Sequence, residues 1–343
     1  MQTTEPIRTR SQGKRPGLIG WLLLAPMVLW LFAFVVAPTA ILVFASFTHA
    51  HEDTGLPVYR QPAPEPDSDP TEAKSKFTTE NYKRIVVDDE GKFIRTDEED
   101  ILKTNANGEE EVVGTRKVTR LAAPYLRVFA YSILYAGITT FLCITVGYPV
   151  AWYIGRAREN TRNLLLMLVM IPFWTSFLIR TYAWITILAN DGLLNGLLRY
   201  SNVITQPFDM LYTPAAVVLG LFYSYLPFMI LPIYGSVEKL DHSLVEAAFD
   251  LGAGPVLAFR KVILPLTRPG IVAGVMLVFV PAVGMFAISG LMGGGKSPMI
   301  GDVIQNQFFA GRDWPFGSAL GMALVAMFVI AFLLTSRLRT SQT

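Results

Sequence analysis

The most conspicuous chemical pattern in the sequence is a glycine-rich run, Gly290 to Ser297, which fits the spacing G-x-x-x-x-G-K-S. In nucleotide-binding proteins such a loop follows a buried strand, opens a helix and cradles phosphates with its backbone N–H groups. Here the run ends an apolar segment, and the sequence has no hydrophobic strand ending in a magnesium-binding Asp. We therefore interpret the glycines as a close turn and expect this chain to bind no ATP, magnesium or other cofactor.

Metal ligands and catalytic groups are sparse. His49 and His51 form an H-x-H pair without further ligands nearby, His242 stands alone, and Cys143 is the single cysteine. A zinc site needs three or four such ligands together, and one cysteine cannot form a disulfide within the chain. We expect no metal site and no catalytic residues, because the apolar segments carry no cluster of nucleophile and base.

Arg180 is the only formal charge well inside an apolar run. An ionisable group within a membrane segment is a candidate functional residue. Arg180 nevertheless lies about six residues, or roughly 9 Å of helix rise, from the predicted outer end of its segment. The alternative to a functional role is therefore that its side chain extends to the membrane–water interface. Aromatic rings nearby could hold a cation or simply pack. The candidate pathway residues are Trp174, Arg180, Tyr182, Trp184, Tyr223, Tyr225 and Phe286.

The elements that must position these side chains are apolar. Of the 343 residues 52% are hydrophobic and 16% charged, and the mean hydropathy is +0.41. This balance is too apolar for an ordinary soluble domain. The net charge of +2 is spread over loops, which excludes a nucleic-acid-binding patch. The sequence therefore predicts an all-α polytopic protein surrounded by membrane lipid.

Six apolar runs are each long enough to cross a bilayer, which takes about 20 residues. They span residues 18–47, 128–154, 164–188, 214–237, 271–292 and 316–334. The first is too long for a signal peptide, and a kink at Pro26 or an end near Pro38 is expected. Basic residues precede the first run and follow the second, fourth and sixth, so the positive-inside rule predicts a cytoplasmic segment 1–17 and a cytoplasmic C-terminus.

Residues 48–126 form a predicted external insertion rich in Pro, Asp, Glu, Lys and Thr. Its proline-rich part, 61–76, favours an extended or disordered linker. Two turn sequences are flanked by short β-like runs, which predicts two hairpins: 84–87 with 92–94, and 101–104 with 110–113. We expect a small insertion, partly β or disordered, followed by a core domain over 127–343.

The polar stretch 241–271, between the fourth and fifth runs, predicts two short helices. Ser243 and Glu246 fit a capping box that starts the first helix. One apolar stripe at helical spacing then follows, with Glu246 and Asp250 on another face; its members are Leu244, Ala247, Ala248 and Leu251.

Glycine and proline residues set the predicted helix ends in this stretch. Gly252 and Gly254 are expected to end the first helix, and Pro255 suits the first position of the second. Pro265 is expected to end that second helix, because proline lacks a backbone N–H.

Glu246, Ala247 and Ala248, then Gly252 after three residues and Val262 to Pro265 after nine more, resemble the E-A-A-x3-G-x9-I-x-L-P loop of bacterial ABC importer permeases. Only Val262 departs from the pattern, conservatively. The resemblance implies a type I (MetI-like) importer fold in the bacterial inner membrane, with a coupling helix that docks into a cleft on a separate ATPase. The ATPase-coupling residues would be Glu246, Ala247, Ala248, Asp250, Gly252, Leu264 and Pro265.

Further segments resemble the permeases of polyamine (spermidine/putrescine) importers: Phe77–Tyr82, Gly147–Ala151, Leu178–Trp184, Met299–Gly301 and Asp313–Gly317. Two departures bear on the cargo. Met285 stands where relatives commonly carry an acidic residue, and Ser289 where a proline is usual. Another small solute, such as an amino-acid-like compound or ferric ion, therefore remains the alternative to a polyamine.

The resemblance also implies partners. They are a second homologous permease, an ABC ATPase dimer that binds ATP and magnesium, and an extracytoplasmic solute-binding protein. The insertion either contacts this binding protein or has no role in transport. No Asp or Glu lies inside a predicted span. Polyamine ammonium groups would then be held by aromatic faces, by carboxylates of the second permease or by the binding protein. A secondary transporter is disfavoured, because it would need several ionisable groups at the middle of the membrane.

Overall fold

The computed structural model describes residues 18–50, 54, 56–57, 77–87, 94–104, 110–121 and 124–340. Within these ranges the fold is largely helical. The helices are α1 (Leu18–Leu31), α2 (Ala37–Ser46), α3 (Glu80–Val86), α4 (Pro124–Arg156), α5 (Glu159–Trp174), α6 (Phe177–Leu188), α7 (Leu193–Tyr200), α8 (Pro214–Glu238), α9 (His242–Asp250), α10 (Pro255–Ala258), α11 (Leu264–Val283), α12 (Ala287–Gly293), α13 (Ile300–Phe309) and α14 (Trp314–Thr340). The strands are β1 (Ile94–Thr104) and β2 (Glu110–Leu121).

In the part of the chain that is described, five helical segments are long and apolar enough to cross a membrane. They are Ala25–Ser46, Pro124–Arg156, Pro214–Glu238, Pro255–Val283 and Trp314–Leu333. A sixth is a bent pair, Glu159–Trp174 with Phe177–Tyr200, whose two parts meet at 91°. The predicted count of six holds when this pair is one crossing.

The third crossing differs from its prediction. A single continuous span over 164–188 is wrong, because the helix breaks between α5 and α6. Pro172 removes a backbone donor near the end of α5, and Thr175 and Ser176 then take extended backbone angles. The break turns the chain through 91°, so α6 leaves in a new direction.

Helix α8 is the centre of the bundle and packs between α4 and α11. Glycines on the two neighbours allow close approach: a Cβ at Gly155 of α4 would lie 2.6 Å from Val237 Cγ1, and one at Gly274 of α11 would lie 2.7 Å from Met229 Sδ. Small residues at helix contacts are the usual means of tight packing in a membrane, where lipid removes the hydrophobic drive between helices. The three helices are therefore closely packed against one another.

The bundle has two ends, which we name by the helices they carry. At the α9 end, residues 239–263 connect α8 to α11. At the α13 end, the Tyr212 N–H donates to the Met292 carbonyl (3.0 Å) and the Ile300 N–H donates to Ser132 Oγ (2.7 Å). These bonds join the starts of α4 and α8 to α12 and α13. Residues 190–213 and 293–315, which lie between predicted spans, are partly helical, since they contain α7 and α13.

The fifth crossing also differs from its predicted bounds of 271–292. Helix α11 begins earlier, at Leu264, and ends at Val283, after which Gly284 to Phe286 interrupt it. Helix α12 is a separate element that packs on α8 and α6. The apolar run therefore covers two elements, since hydropathy alone does not detect the interruption of the helix at Gly284.

A π-helical turn at Phe32–Val36 joins α1 to α2, and the Ala37 N–H donates to the Phe32 carbonyl. The first span therefore continues to Ser46, and an end near Pro38 is wrong. A wider π turn relieves the clash that a proline ring makes with the carbonyl four residues before it. Pro26 lies inside α1.

The insertion contains one helix and one described hairpin. The predicted hairpin at 84–87 is wrong, because residues up to Val86 belong to α3, which buries Asn81 and Ile85. The second predicted hairpin is confirmed and is longer than expected. Its strands pair antiparallel from Ile94 opposite Leu121 to Thr104 opposite Glu110, with an irregularity between Ile101 and Leu102.

Asn81 fastens α3 to the end of the first span. Its Nδ2 donates to the carbonyls of Ser46 (3.0 Å) and Thr48 (2.9 Å), and the residue is 6% exposed. About one turn further along α3, Arg84 pairs with Asp313 at 2.8 Å. Helix α3 therefore links the first and last spans.

Replacing Asn81 with alanine is expected to destabilise this link. Each buried carbonyl left without its donor costs about 1–3 kcal/mol, so the melting temperature in detergent should fall and protease should cleave near residues 77–87 sooner. Lys83→Ala is the matched control, because Lys83 is exposed on the same helix. Equal melting temperatures for the two variants would contradict the proposed role of Asn81.

Candidate functional site

Helix α9 begins two residues before its predicted start, because its N-cap is Asp241 and not Ser243. Asp241 Oδ1 accepts the Ser243 N–H at 3.0 Å, and the first helical residue is His242. The predicted capping box of Ser243 and Glu246 is therefore wrong: Asp241, an equally good N-cap residue, already holds the N–H of Ser243. Glu246 is exposed.

The end of α9 is a Schellman motif. The Gly252 N–H donates to the Phe249 carbonyl (2.9 Å), and the Ala253 N–H donates to the Ala248 carbonyl (3.0 Å). Gly252 has φ of +83°, the left-handed conformation that this motif requires and that glycine adopts without steric cost. The predicted stop is confirmed, and the motif explains why a glycine follows Ala248 at the fourth position.

Helix α10 does not end at Pro265. It passes through a π-helical turn, Phe259–Ile263, directly into α11, and the Leu264 N–H donates to the Phe259 carbonyl. Pro265 then stands in the first turn of α11, where the π turn accommodates its ring. The segment from Pro255 to Val283 is consequently one helical rod.

A small apolar cluster anchors the helix pair to the bundle. Val245 of α9, which is 5% exposed, packs with Leu240 and Ile263, and Trp152 and Phe259 surround them.

A second contact lies beside this cluster. Phe259 meets Tyr148 of α4 edge-on at 5.5 Å between ring centroids, and the Tyr148 hydroxyl is 3.0 Å from Thr267 Oγ1. The α9 end is thus fixed to α4 as well as to α11.

Much of the rest of the helix pair is exposed and carries large apolar side chains. Leu251 is 89% exposed, and four further large apolar side chains are also exposed: Leu244, Phe249, Val256 and Leu257. Of the predicted coupling residues Glu246, Ala247, Asp250, Gly252, Leu264 and Pro265 are exposed, and Ala248 is half-buried. Several large apolar side chains exposed on one helix pair are typical of a protein-binding site.

Arg180 caps the break in the third crossing. Its guanidinium donates to the Pro172 carbonyl at 2.5 Å and lies 5.7 Å from the centre of the Tyr223 ring. Trp184 meets the same tyrosine edge-on at 5.5 Å. Three of the candidate pathway residues therefore come together, but the arginine already occupies one face of Tyr223.

The other four candidates do not join this cluster. Trp174 (79% exposed), Tyr182 and Phe286 are exposed, whereas Tyr225 is buried in the core. The exposed rings are available for contacts outside the chain, and that of Tyr225 is not.

A buried carboxylate escaped the sequence analysis. Asp302, in the first turn of α13 and outside the candidate membrane spans, is 8% exposed. Its Oδ2 accepts the Ser289 hydroxyl (2.5 Å) and the Met299 N–H (2.9 Å). Burial raises the pKa of the Asp302 carboxyl, and the two hydrogen bonds act in the opposite direction. The amphipathic spacing of Ile300, Val303 and Ile304 was the available signal for a packed helix here.

The glycine-rich run forms the close turn that the sequence predicts. Helix α12 ends at Gly293, and Gly294 and Gly295 follow with φ of +55° and +76°. A side chain at Gly294 would overlap the Tyr212 ring. The run follows a helix, not a strand, so it lacks the setting of a phosphate-binding loop.

Comparisons with known proteins agree with this architecture. The family described as "Binding-protein-dependent transport system inner membrane component" matches residues 121–340. The spermidine/putrescine transport system permease protein PotB of Escherichia coli K12 is 48% identical over 207 residues, which are 60% of this chain and 75% of PotB. The inner membrane ABC transporter permease protein YdcU of the same strain is 31% identical over 225 residues, 61% of this chain and 72% of YdcU.

A solved structure shares the fold. It is a bacterial ABC transporter involved in the import of the acidic polysaccharide alginate, with a TM-score of 0.60 and 15% identity, and the match covers 93% of this chain and 96% of that one. The MetI-like helical fold is therefore confirmed. On the match over residues 121–340, the chain belongs to the family of binding-protein-dependent transport system inner membrane components and is a multi-pass permease subunit of a transport system.

Proposed function

We propose that this permease belongs to an ATP-driven importer of polyamines and that α9 and α10 dock on a separate ATPase. The observation that carries the docking is the exposed apolar helix pair, whose second helix continues without a break into α11. The 48% identity to PotB, which is named for spermidine and putrescine, supports the substrate class.

The mechanism follows from the continuity of the chain. When ATP closes the ATPase dimer, the docked α9 moves, and the Schellman turn at Gly252 carries this motion into α10. Because α10 and α11 form one rod, the motion reaches the membrane without a flexible joint. Because α11 packs closely on α8, the motion then tilts the third to fifth crossings. The translocation pathway changes from open on one side of the membrane to open on the other. The exposed carboxylate of Glu246 pairs with a basic residue of the ATPase.

The proposed orientation puts the α9 end and both termini in the cytoplasm. Lys239, Arg260, Lys261 and Arg268 cluster in sequence at the α9 end, which agrees with the positive-inside rule. The α13 end then faces the extracytoplasmic binding protein. A second permease completes the pathway, and the exposed rings of Trp174, Tyr182 and Phe286 are available to a cationic solute or to that partner.

The test is uptake by the assembled importer. In cells lacking their own polyamine uptake, co-expression of this chain with its second permease, ATPase and binding protein should restore uptake of labelled spermidine, and the ATPase should co-purify with this chain. Leu251→Asp, which places a charge on the exposed apolar surface, should reduce co-purification, while Lys261→Gln, on the same segment, should not. If the complex assembles but takes up a different solute, the docking stands and the substrate class is wrong.

A further inference from the structure

Asp302 combines burial with an open hydrogen-bonding position. Both of its donors, the Ser289 hydroxyl and the Met299 N–H, bind Oδ2. Among the described residues no donor binds Oδ1. The residue is 8% exposed, so this oxygen is an acceptor with little access to solvent and with no hydrogen-bond donor among the described residues.

Gly290 provides the approach to this oxygen. It is exposed on the surface of α12, and a Cβ built on it would lie 3.3 Å from Asp302 Oδ1. The oxygen therefore lies directly behind a position that has no side chain. Phe286, one helical turn before Gly290, is 45% exposed, so an aromatic ring borders the same opening.

The charge of Asp302 is not compensated within the described residues, since no Lys, Arg or His there forms an ion pair with it. A buried carboxylate without a cation is unfavourable, and an approaching cation relieves this cost. An ordinary helix cap explains the hydrogen bond from the Met299 N–H to Oδ2. It does not explain why Oδ1 lacks a donor within the described part of the chain.

We propose that Asp302 Oδ1 binds one ammonium group of the transported polyamine through the opening at Gly290, with Phe286 contacting the methylene chain beside it. This inference rests on the proposed polyamine import, and it assigns substrate binding to one carboxylate of this chain. It applies to primary ammonium groups, which present three donors on a compact cation.

The experiment compares variants in proteoliposomes that contain the complete importer, with labelled spermidine delivered by its binding protein. Asp302→Asn keeps an acceptor for the Met299 N–H and removes the charge, so KM should rise at least tenfold. Gly290→Ala should raise KM in the same direction, because its methyl group crowds Oδ1. Asp209→Asn is the matched control: this exposed carboxylate already accepts the Asn190 amide at 2.8 Å, and KM should stay unchanged.

Each outcome discriminates. If the unmodified importer takes up no spermidine, both the proposed function and this inference fail. If it does take up spermidine but Asp302→Asn and Gly290→Ala leave KM unchanged, the function stands and the inference is wrong. If Asp302→Asn only lowers the yield or melting temperature of the complex while KM per assembled complex is unchanged, Asp302 is a helix cap and nothing more.

Discussion

Replacing Gly252 with valine is expected to reduce uptake more than tenfold while the protein still inserts into the membrane. Gly252 has φ of +83° in the Schellman motif that ends α9, and a side chain in that conformation costs about 1–2 kcal/mol. A β-branched residue is among the worst choices there. The turn should re-form at a different angle, so the proposed ATPase-docking surface would lose its fixed relation to α11. The measurements are spermidine uptake and ATP hydrolysis stimulated by the loaded binding protein.

Two control variants separate backbone geometry from bulk. Gly254 has an ordinary φ of −70°, and no atom lies within 4 Å of a Cβ built there or at Gly252. Gly254→Val adds the same bulk two residues away without left-handed strain and should retain most uptake. Gly252→Asn should rescue part of the activity, because asparagine tolerates the left-handed region. Equal losses for Gly252→Val and Gly254→Val would show that bulk, not the turn, is decisive.

Gly270→Ala is expected to destabilise the whole bundle. A Cβ at this position of α11 would overlap Ser236 Oγ and lie 2.5 Å from the Pro232 carbonyl oxygen. One of these neighbours is backbone, so the two helices must separate. Overpacking of this kind costs about 1–3 kcal/mol, and the free energy of unfolding should fall by that amount. Thermal unfolding of the purified protein in detergent measures it.

The control for this substitution lies on the facing helix. Gly235 of α8 has no atom within 4 Å of a built Cβ, so Gly235→Ala meets no obstacle and gains helix propensity of up to about 1 kcal/mol. Its melting temperature should equal or exceed that of the unmodified protein. If Gly270→Ala unfolds at the same temperature as Gly235→Ala, the contact between α8 and α11 is looser than the geometry indicates.

The parts of the fold that sequence predicts well depend on local chemistry or on length. The turn at Gly252 could be predicted because its φ and its two hydrogen bonds are set by residues within five positions. The crossings could be counted because a bilayer imposes a minimum apolar length. The hairpin of β1 and β2 could be found from its turn signals, although its register could not.

The errors arise where two local rules compete or where distant packing decides. Asp241 and Ser243 are both good N-cap residues, and their order in the chain does not say which one is used. Pro265 and Pro38 were expected to end helices, but a π turn before each accommodates the ring. Such a turn leaves no signature in composition.

The candidate substrate residues were the hardest to predict, because burial is a tertiary property. Tyr223 and Tyr225 are two residues apart, yet one meets Arg180 and the other lies in the core. Asp302 was overlooked because it follows a glycine-rich run that reads as a loop. Its carboxylate is buried because α13 packs against α14 and α4.

The strands β1 and β2 begin and end at one place, since Ile94 stands opposite Leu121, and residue 121 is where the family match starts. A hairpin closed at its base in this way returns the chain to the place where it left. Cross-strand pairs can therefore be added to or removed from the far end of the hairpin without displacing the two chain ends at its base.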